Sequence, residues 1–445
     1  TNLYAIMKLK QLFIIASVVT MPAYAQQKWD LKQCIDHAIA NNLTIKLQEA
    51  QREQSKVELS TAKNSFLPDL NGSASHSFNF GRSLQADNTY QSLNTQNTGL
   101  NLSTSIPLFS GLQKINNVAL SKLNLQAAME DLNKAKEDIS IQVASAYLQV
   151  LFNEELVKVA NEQLALSKEM LEQKTAFYKN GKASQAEWYE AKARVAQDEL
   201  SAVQAENNRR LSLLDLSQLL ELPSPDDFAI VSPATDSIAG LKIQTSPAEV
   251  YAEAVLTKPS VKAAQYRLEG AEKSIRMAKG AYYPQLSFGA GISTNFYNVS
   301  GMENGNFGSQ LRDNFSQYIG FSLSVPIFNR FETRNRVRSA RIQQHTYYWQ
   351  LEESKKTLYK EIQQAYYNAV NAETQYQSSL TADEAAQASF LLMKEKYTNG
   401  KANATEYNES RTAWMKAVSD RLQAKYDYLF RTKILDFYRG IPLTL

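Results

Sequence analysis

The chain has 445 residues, a formal net charge of +3 and a single cysteine. The near-neutral balance excludes the basic stripe that a nucleic-acid partner demands, and one thiol, Cys34, excludes an internal disulfide and reads as a half-buried, structural residue. Hydrophobic residues make up 44%, enough for a core, and only 16 Gly and 11 Pro leave the chain free to form long helices.

The first residues read as a targeting segment. Thr1 to Ile6 are an upstream extension. Met7, Lys8 and Lys10 open a basic stretch, Leu12 to Val19 form an apolar run, and Ala23-Tyr24-Ala25 closes it with small residues. This is the layout of a secretory leader over 1–25, cut after Ala25. The competing reading is a membrane anchor, but the run is shorter than the ~20 residues a helical span needs. No later stretch is long and apolar enough to span as a helix, so a membrane location requires a β-barrel.

Beyond the leader the chain is written twice. YKNGKASQAEW around Gly181 matches YTNGKANATEY around Gly400, and AKNSFLPDL ending at Leu70 matches AKGAYYPQL ending at Leu286. SIPLF at Ser105 to Phe109 matches SVPIF at Ser324 to Phe328. Such self-similarity at a fixed spacing marks an internal repeat. The expected domains are a first structural repeat over 26–222, a linker over 223–247 bearing Pro and Asp, and a second repeat over 248–445. Each half reads helix, strand, strand, helical hairpin.

Four segments alternate with period two. Leu70, Gly72, Ala74, Phe78 and Phe80 alternate with Asn71, Ser73, Ser75, Ser77 and Asn79; Leu100, Leu102, Ile106 and Leu108 alternate with Asn101, Ser103 and Ser105. In the second half, Leu286, Phe288, Ala290, Ile292 and Phe296 form one apolar row, and Ile319, Phe321, Leu323, Val325 and Ile327 form another. Period two predicts strands with one apolar and one polar face, at the ~9–11 residues of a tilted membrane-spanning strand. A soluble two-layer sheet gives the same pattern. Against it, the polar face is small and uncharged, which suits a wet lumen. Four strands cannot close a membrane barrel, since the smallest use about eight. Sharing between chains is then required, and three copies give twelve strands, wide enough for a channel.

From Gly111 to Asn180 there is no internal Gly or Pro, and Val143, Val150, Val157, Leu164 and Leu171 recur every seven residues. This predicts a very long helix in left-handed coiled-coil packing, either in a tube wall or in an ordinary antiparallel coiled coil. Asn180-Gly181 and Asn399-Gly400 end the two long helices, because these residues accept the left-handed backbone of a helix end. Ser184 and Asn403 are placed to cap the next helices, with Glu187 and Glu406 at the capping-box position.

Leader, twofold repeat, two strand pairs flanked by Pro68, Pro107, Pro284 and Pro326, and the Tyr-x-Asn-Gly tips together resemble the TolC family of outer-membrane factors. The resemblance covers essentially the whole mature chain. It implies a mixed α and β membrane protein with a TolC-like fold: a long α-helical barrel plus a transmembrane β-barrel shared between chains, four strands from each and twelve per trimer. It implies a homotrimer in the outer-membrane lipid of a Gram-negative cell with a long periplasmic extension. Its partners would be a periplasmic membrane-fusion adaptor and an inner-membrane pump, in a passive tripartite efflux or secretion system. The tips, Asn180, Gly181, Lys182, Asn399, Gly400 and Lys401, would be the adaptor-docking points. In the family, carboxylates ring the periplasmic constriction. Glu406 and Glu409 match the ring positions after the second tip, and Glu187 and Glu190 occupy the same offsets after the first. Simple capping and solvated helix faces account for these four equally. Tyr397 matches a family tyrosine that latches the constriction, but the family's latch arginine, two residues past the tip glycine, is Ala402 here.

The alternative is a non-channel periplasmic coiled-coil structural protein with a small β-domain. An enzyme is not expected. His37, His76 and His345 are scattered, and no nucleophile, base and orienter can be drawn together. No catalytic residue, cofactor or metal site is expected.

Overall fold

A computed structural model of the chain describes residues 27–84, 88–225, 228–232 and 246–444. The leader expected at 1–25 and much of the 223–247 linker lie outside these residues. The first half runs β1 (Gln27–Trp29), α1 (Leu31–Asn41), α2 (Leu43–Asn64), β2 (Asn71–Asn79), β3 (Arg82–Leu84), β4 (Tyr90–Ser92), β5 (Thr95–Ser110), α3 (Gln113–Lys179) and α4 (Gln185–Leu219). After β6 (Phe228–Ile230) the second half runs α5 (Pro247–Thr257), α6 (Pro259–Gly280), β7 (Gln285–Val299), α7 (Phe307–Asp313), β8 (Ser316–Ser324), α8 (Glu332–Thr398) and α9 (Ala404–Tyr438).

The duplication is metrical. The paired helices α1 and α5 have 11 residues each, α2 and α6 have 22, α3 and α8 have 67, and α4 and α9 have 35. At 1.5 Å per residue, the two long helices each extend about 100 Å. One feature was not expected: the opening helix of each half is broken, at Asn42 and at Lys258, both with extended backbone. At Lys258 the cause is Pro259, whose ring disfavours helical backbone at the residue before it. At Asn42 the side chain leaves the helix to donate to the carbonyl of Leu219 at 3.0 Å.

The described residues fall into two compact units, one drawn from Thr1–Leu43, Asp138–Thr245 and Gln364–Leu445, the other from Thr44–Glu137 and Ser246–Gln363. The second unit holds an antiparallel sheet in the order β2-β5-β7-β8. Its register aligns Ala74 with Leu100, Leu102 with Ile292, and Phe288 with Phe321, so the apolar rows share one face. Ser75 with Gly99, Asn101 with Ser293 and Ser287 with Ser322 line the other. The apolar residues are left bare; Ile319 is 77% exposed and Phe321 71%. An apolar face of this kind with no protein cover faces lipid. Strands β2 and β8 have open outer edges among the described residues, and open edges are not tolerated in hydrocarbon.

Two details of the strands depart from expectation. The fourth strand ends at Ser324, so Val325 and Ile327 lie past it, whereas its counterpart β5 continues through Pro107 by a register shift between Pro107 and Phe109. The apolar row is also interrupted on β2 by His76, which points to the same side as Phe78 and is held by Thr98 Oγ1 at 2.8 Å and Gln96 Nε2 at 3.2 Å.

In the first unit, Val143, Val150 and Leu151 of α3 and Leu216 of α4 are fully buried. The heptad residues Val157, Leu164 and Leu171 are half-buried. The linker contributes β6, which pairs in parallel with β1. The hydroxyl of Tyr147 on α3 clamps this ribbon by donating to the carbonyls of Val231 at 2.6 Å and Trp29 at 3.2 Å. Neither short strand has an apolar pattern long enough to stand out in sequence.

Candidate functional site

The hairpin tips of the first unit gather most of the residues singled out in sequence. Helix α3 ends with Gly181 at φ 69° and α8 with Gly400 at φ 68°. In each turn the glycine N–H donates to the tyrosine three residues back, Tyr178 or Tyr397, at 3.0 Å. The lysine after it, Lys182 or Lys401, donates five residues back at 2.8 Å. These paired bonds satisfy the helix-end carbonyls, and a left-handed residue is required to make them.

Beyond each turn a capping box starts the next helix. Ser184 Oγ accepts from the Glu187 N–H while Glu187 Oε2 accepts from the Ser184 N–H at 2.9 Å. Asn403 and Glu406 repeat the exchange at 2.9 and 3.0 Å. Glu187 and Glu406 thus spend one oxygen on the cap and keep the other for a different partner. Glu190 accepts from Asn408 Nδ2 at 3.5 Å, which sets the two hairpins level with each other; Glu409 is exposed.

Lys174, on the last turns of α3, joins the two hairpins. Its Nζ lies 3.4 Å from Glu187 Oε1 and 5.2 Å from the ring centre of Tyr397. Burial opposes its charge, but the Tyr397 hydroxyl and the Glu187 carboxylate outweigh that, and the amine is held above its ordinary value. Glu187 is held below the ordinary carboxylate value by the Ser184 backbone N–H and then by Lys174. Tyr397 stacks on Tyr407 at 4.9 Å, and Tyr407 meets Phe390 at 5.6 Å.

Farther from the tips, Arg411 of α9 donates to Asp198 Oδ2 of α4 at 2.8 Å and to the carbonyl of Gln163 on α3 at 2.7 Å. Arg194 Nε lies 3.2 Å from the other Asp198 oxygen, and Gln163 Nε2 donates to it at the same distance. Lys174, Asp198 and Arg411 were not singled out in the sequence. A signal existed for the last two, since each is a charged residue in the apolar phase of its helix, between Val195 and Ala202 and between Tyr407 and Trp414.

Long paired helices, a bare-faced antiparallel sheet and a twofold repeat define an outer-membrane channel subunit. A family model described as outer membrane efflux protein matches the chain twice, over residues 34–221 and 250–437. BepC, an outer membrane efflux protein of Brucella suis, is 22% identical over 333 residues, covering 74% of this chain and 67% of its own. The cation efflux system protein CusC of Escherichia coli K12 is 24% identical over 368 residues, covering 79% of this chain and 74% of its own. A crystal structure of CusC superposes with a TM-score of 0.77 at 16% identity, covering 93% of this chain and 92% of that one.

The chain belongs to the outer membrane efflux protein family. Its fold is TolC-like, with long helices for an α-helical barrel and four strands for a shared transmembrane β-barrel. It is a homotrimeric outer-membrane channel of a Gram-negative tripartite export system, working with a periplasmic adaptor and an inner-membrane pump. The coiled-coil rod considered from sequence is set aside by this membership.

Proposed function

We propose that the hairpin tips are the periplasmic gate of this channel. Three copies of Glu406 and Glu409, joined by Glu187 and Glu190, form a carboxylate ring at the constriction, and a ring of one sign favours cations. Tyr397 is the latch. Ala402 cannot supply the cation that the family pattern expects there, and Lys174 supplies one from the opposite hairpin. The observation that carries this reading is the position of Lys174 between Glu187 on one hairpin and Tyr397 on the other. The exposed turns Asn180-Gly181-Lys182 and Asn399-Gly400-Lys401 receive the adaptor.

Two repeats, 26–222 and 248–445 about a linker at 223–247, each supply one hairpin to the gate. Conduction is passive and has no chemical step, so the chain is not an enzyme, and the pump selects the cargo. Single-channel recording on the reconstituted trimer tests the gate. Lys174→Met should raise the open fraction at neutral pH several-fold. An unchanged open fraction in both Lys174→Met and Tyr397→Phe would place the gate elsewhere.

A further inference from the structure

The two hairpins of the first unit enclose a cavity of about 30 Å³ near their tips, room for one small ion or a water or two. Its charged lining is Lys174 of α3, Glu187, Glu190 and Arg194 of α4, and Arg411 of α9. These charges are unevenly placed. Only 3% of the Arg411 side chain, 14% of Lys174 and 27% of Arg194 are exposed, against 43% of Glu187. Glu190 is exposed as well. The cations stand deep and the carboxylates at the rim.

The deep end is short of acceptors. Arg411 and Arg194 share one carboxylate, Asp198, and Gln163 takes part of that. Neither guanidinium is fully used. Arg411 Nε is buried and has no hydrogen-bond partner among the described residues. Arg194 Nε stands 3.2 Å from Asp198 Oδ1 but makes no hydrogen bond to it. A buried, charged N–H without an acceptor is costly, and native interiors seldom leave one. The rim carboxylates are engaged elsewhere. Glu187 divides its oxygens between the Ser184 N–H and Lys174, and Glu190 accepts from Asn408.

We propose that this cavity binds one small monovalent anion, chloride, between Arg194 and Arg411, with Lys174 adding a third positive charge. A water would supply an acceptor but would leave two guanidiniums facing one carboxylate. An anion supplies the acceptor and balances the charge, and charge-assisted hydrogen bonds of this kind are the stronger ones. The volume suits a one-atom anion. Because Lys174, Arg194 and Arg411 come from three helices, the ion ties α3, α4 and α9 together at one point. The site stands on the packing of the hairpins and does not depend on their being the gate.

The test uses the full chain as the detergent-extracted protein. Its melting temperature is followed as chloride replaces gluconate, too large for the cavity, at constant ionic strength. Chloride should raise it saturably, by about 2 °C. Arg194→Gln removes one of the two guanidiniums and should move the chloride midpoint about tenfold higher. Arg210→Gln, whose side chain is 74% exposed, should leave the midpoint in place. Crystals of the wild type soaked in bromide, which need no variant to fold, should show an anomalous peak between Arg194 and Arg411. Equal melting in chloride and gluconate, with no bromide peak, would mean bound water only and would overturn the site. A bromide peak without any effect of chloride on melting would mean an adventitious ion only and would overturn it too. A midpoint unchanged in Arg194→Gln would place the anion elsewhere.

Discussion

Arg411 and Asp198 meet at 2.8 Å with only 3% of either side chain exposed, and they tie the second helical hairpin to the first. A buried pair of this kind adds little net stability over apolar residues, because desolvation offsets the Coulomb attraction. Breaking it is different. Arg411→Met leaves buried Asp198 with Arg194 and the Gln163 amide on one oxygen and takes the partner from the other, and should cost about 3–5 kcal/mol. Arg411→Met with Asp198→Leu removes both charges and should recover most of that loss. Thermal melting of the extracted protein distinguishes the two; a double variant as unstable as the single would show that packing around Arg411, and not charge, holds the hairpins together.

The contact between Lys174 and Glu187 at the first hairpin tip should depend on pH at both ends. Glu187 sits below its ordinary value in the folded protein, so its contribution is complete above the usual carboxylate range and disappears as pH falls through the lowered value. Lys174 sits above its ordinary value, so its contribution is complete below the usual lysine range and disappears as pH rises through the raised one. The stability this contact gives the first hairpin should therefore be complete from roughly pH 5 to 10 and fall off in acid first. The check is the melting temperature against pH for wild type and Lys174→Met, with the acid limb reduced but not abolished in the variant, because the Ser184 N–H still holds Glu187.

The turn glycines carry a separate expectation. Gly181 and Gly400 adopt a left-handed backbone that costs an L-residue roughly 1–2 kcal/mol. Nothing lies within 4 Å of the place a Cβ would take at either site, so the cost is conformational and not steric. Valine at both positions should distort the turns, leave the trimer assembled and weaken crosslinking of the adaptor to the tips. Full crosslinking and export in the double variant would remove the turns as docking points.

How much of this was legible in sequence depends on the range of the physics involved. The repeat, the Asn-Gly turns and the Ser184 and Asn403 caps are local, and the structure contains them as expected. The end of β8 at Ser324 was not legible, because Val325 and Ile327 continue the apolar alternation while Pro326 between them cannot donate to a ladder. The β1–β6 ribbon was invisible because two three-residue strands bring no periodicity, and the Tyr147 hydroxyl that clamps them is more than 80 residues from either Trp29 or Val231. Lys174 was invisible for the same reason. Its partner Tyr397 is distant in sequence, and a lysine near a helix C-terminus ordinarily reads as dipole compensation.

Glu409 should set the ion preference of the pore if the carboxylates ring the constriction. It stands three residues past Glu406, so the two share a helix face, and unlike Glu406 it is not engaged in a capping box. Glu409→Lys replaces three negative charges in the trimer with three positive ones and should shift the reversal potential in a salt gradient toward anions. An unchanged cation preference would remove Glu409 from the ring.

The sheet of the second unit offers a separate test. Tyr318 on the small-residue face lies flat over Gly291, and a Cβ at Gly291 would come within 2.6 Å of the tyrosine ring and 3.0 Å of the Leu102 carbonyl. Other residues paired on this face near it, such as Ser293 with Ser316 and Gly289 with Gly320, are small. Glycine at 291 thus lets the one bulky ring rest against the wall. Gly291→Leu must displace that ring, at an overpacking cost of about 1–3 kcal/mol, and the free direction is into the lumen. Open-channel conductance should fall in Gly291→Leu and return in Gly291→Leu with Tyr318→Ser. If conductance falls equally in both, the loss comes from the strand backbone and the ring has no part in it.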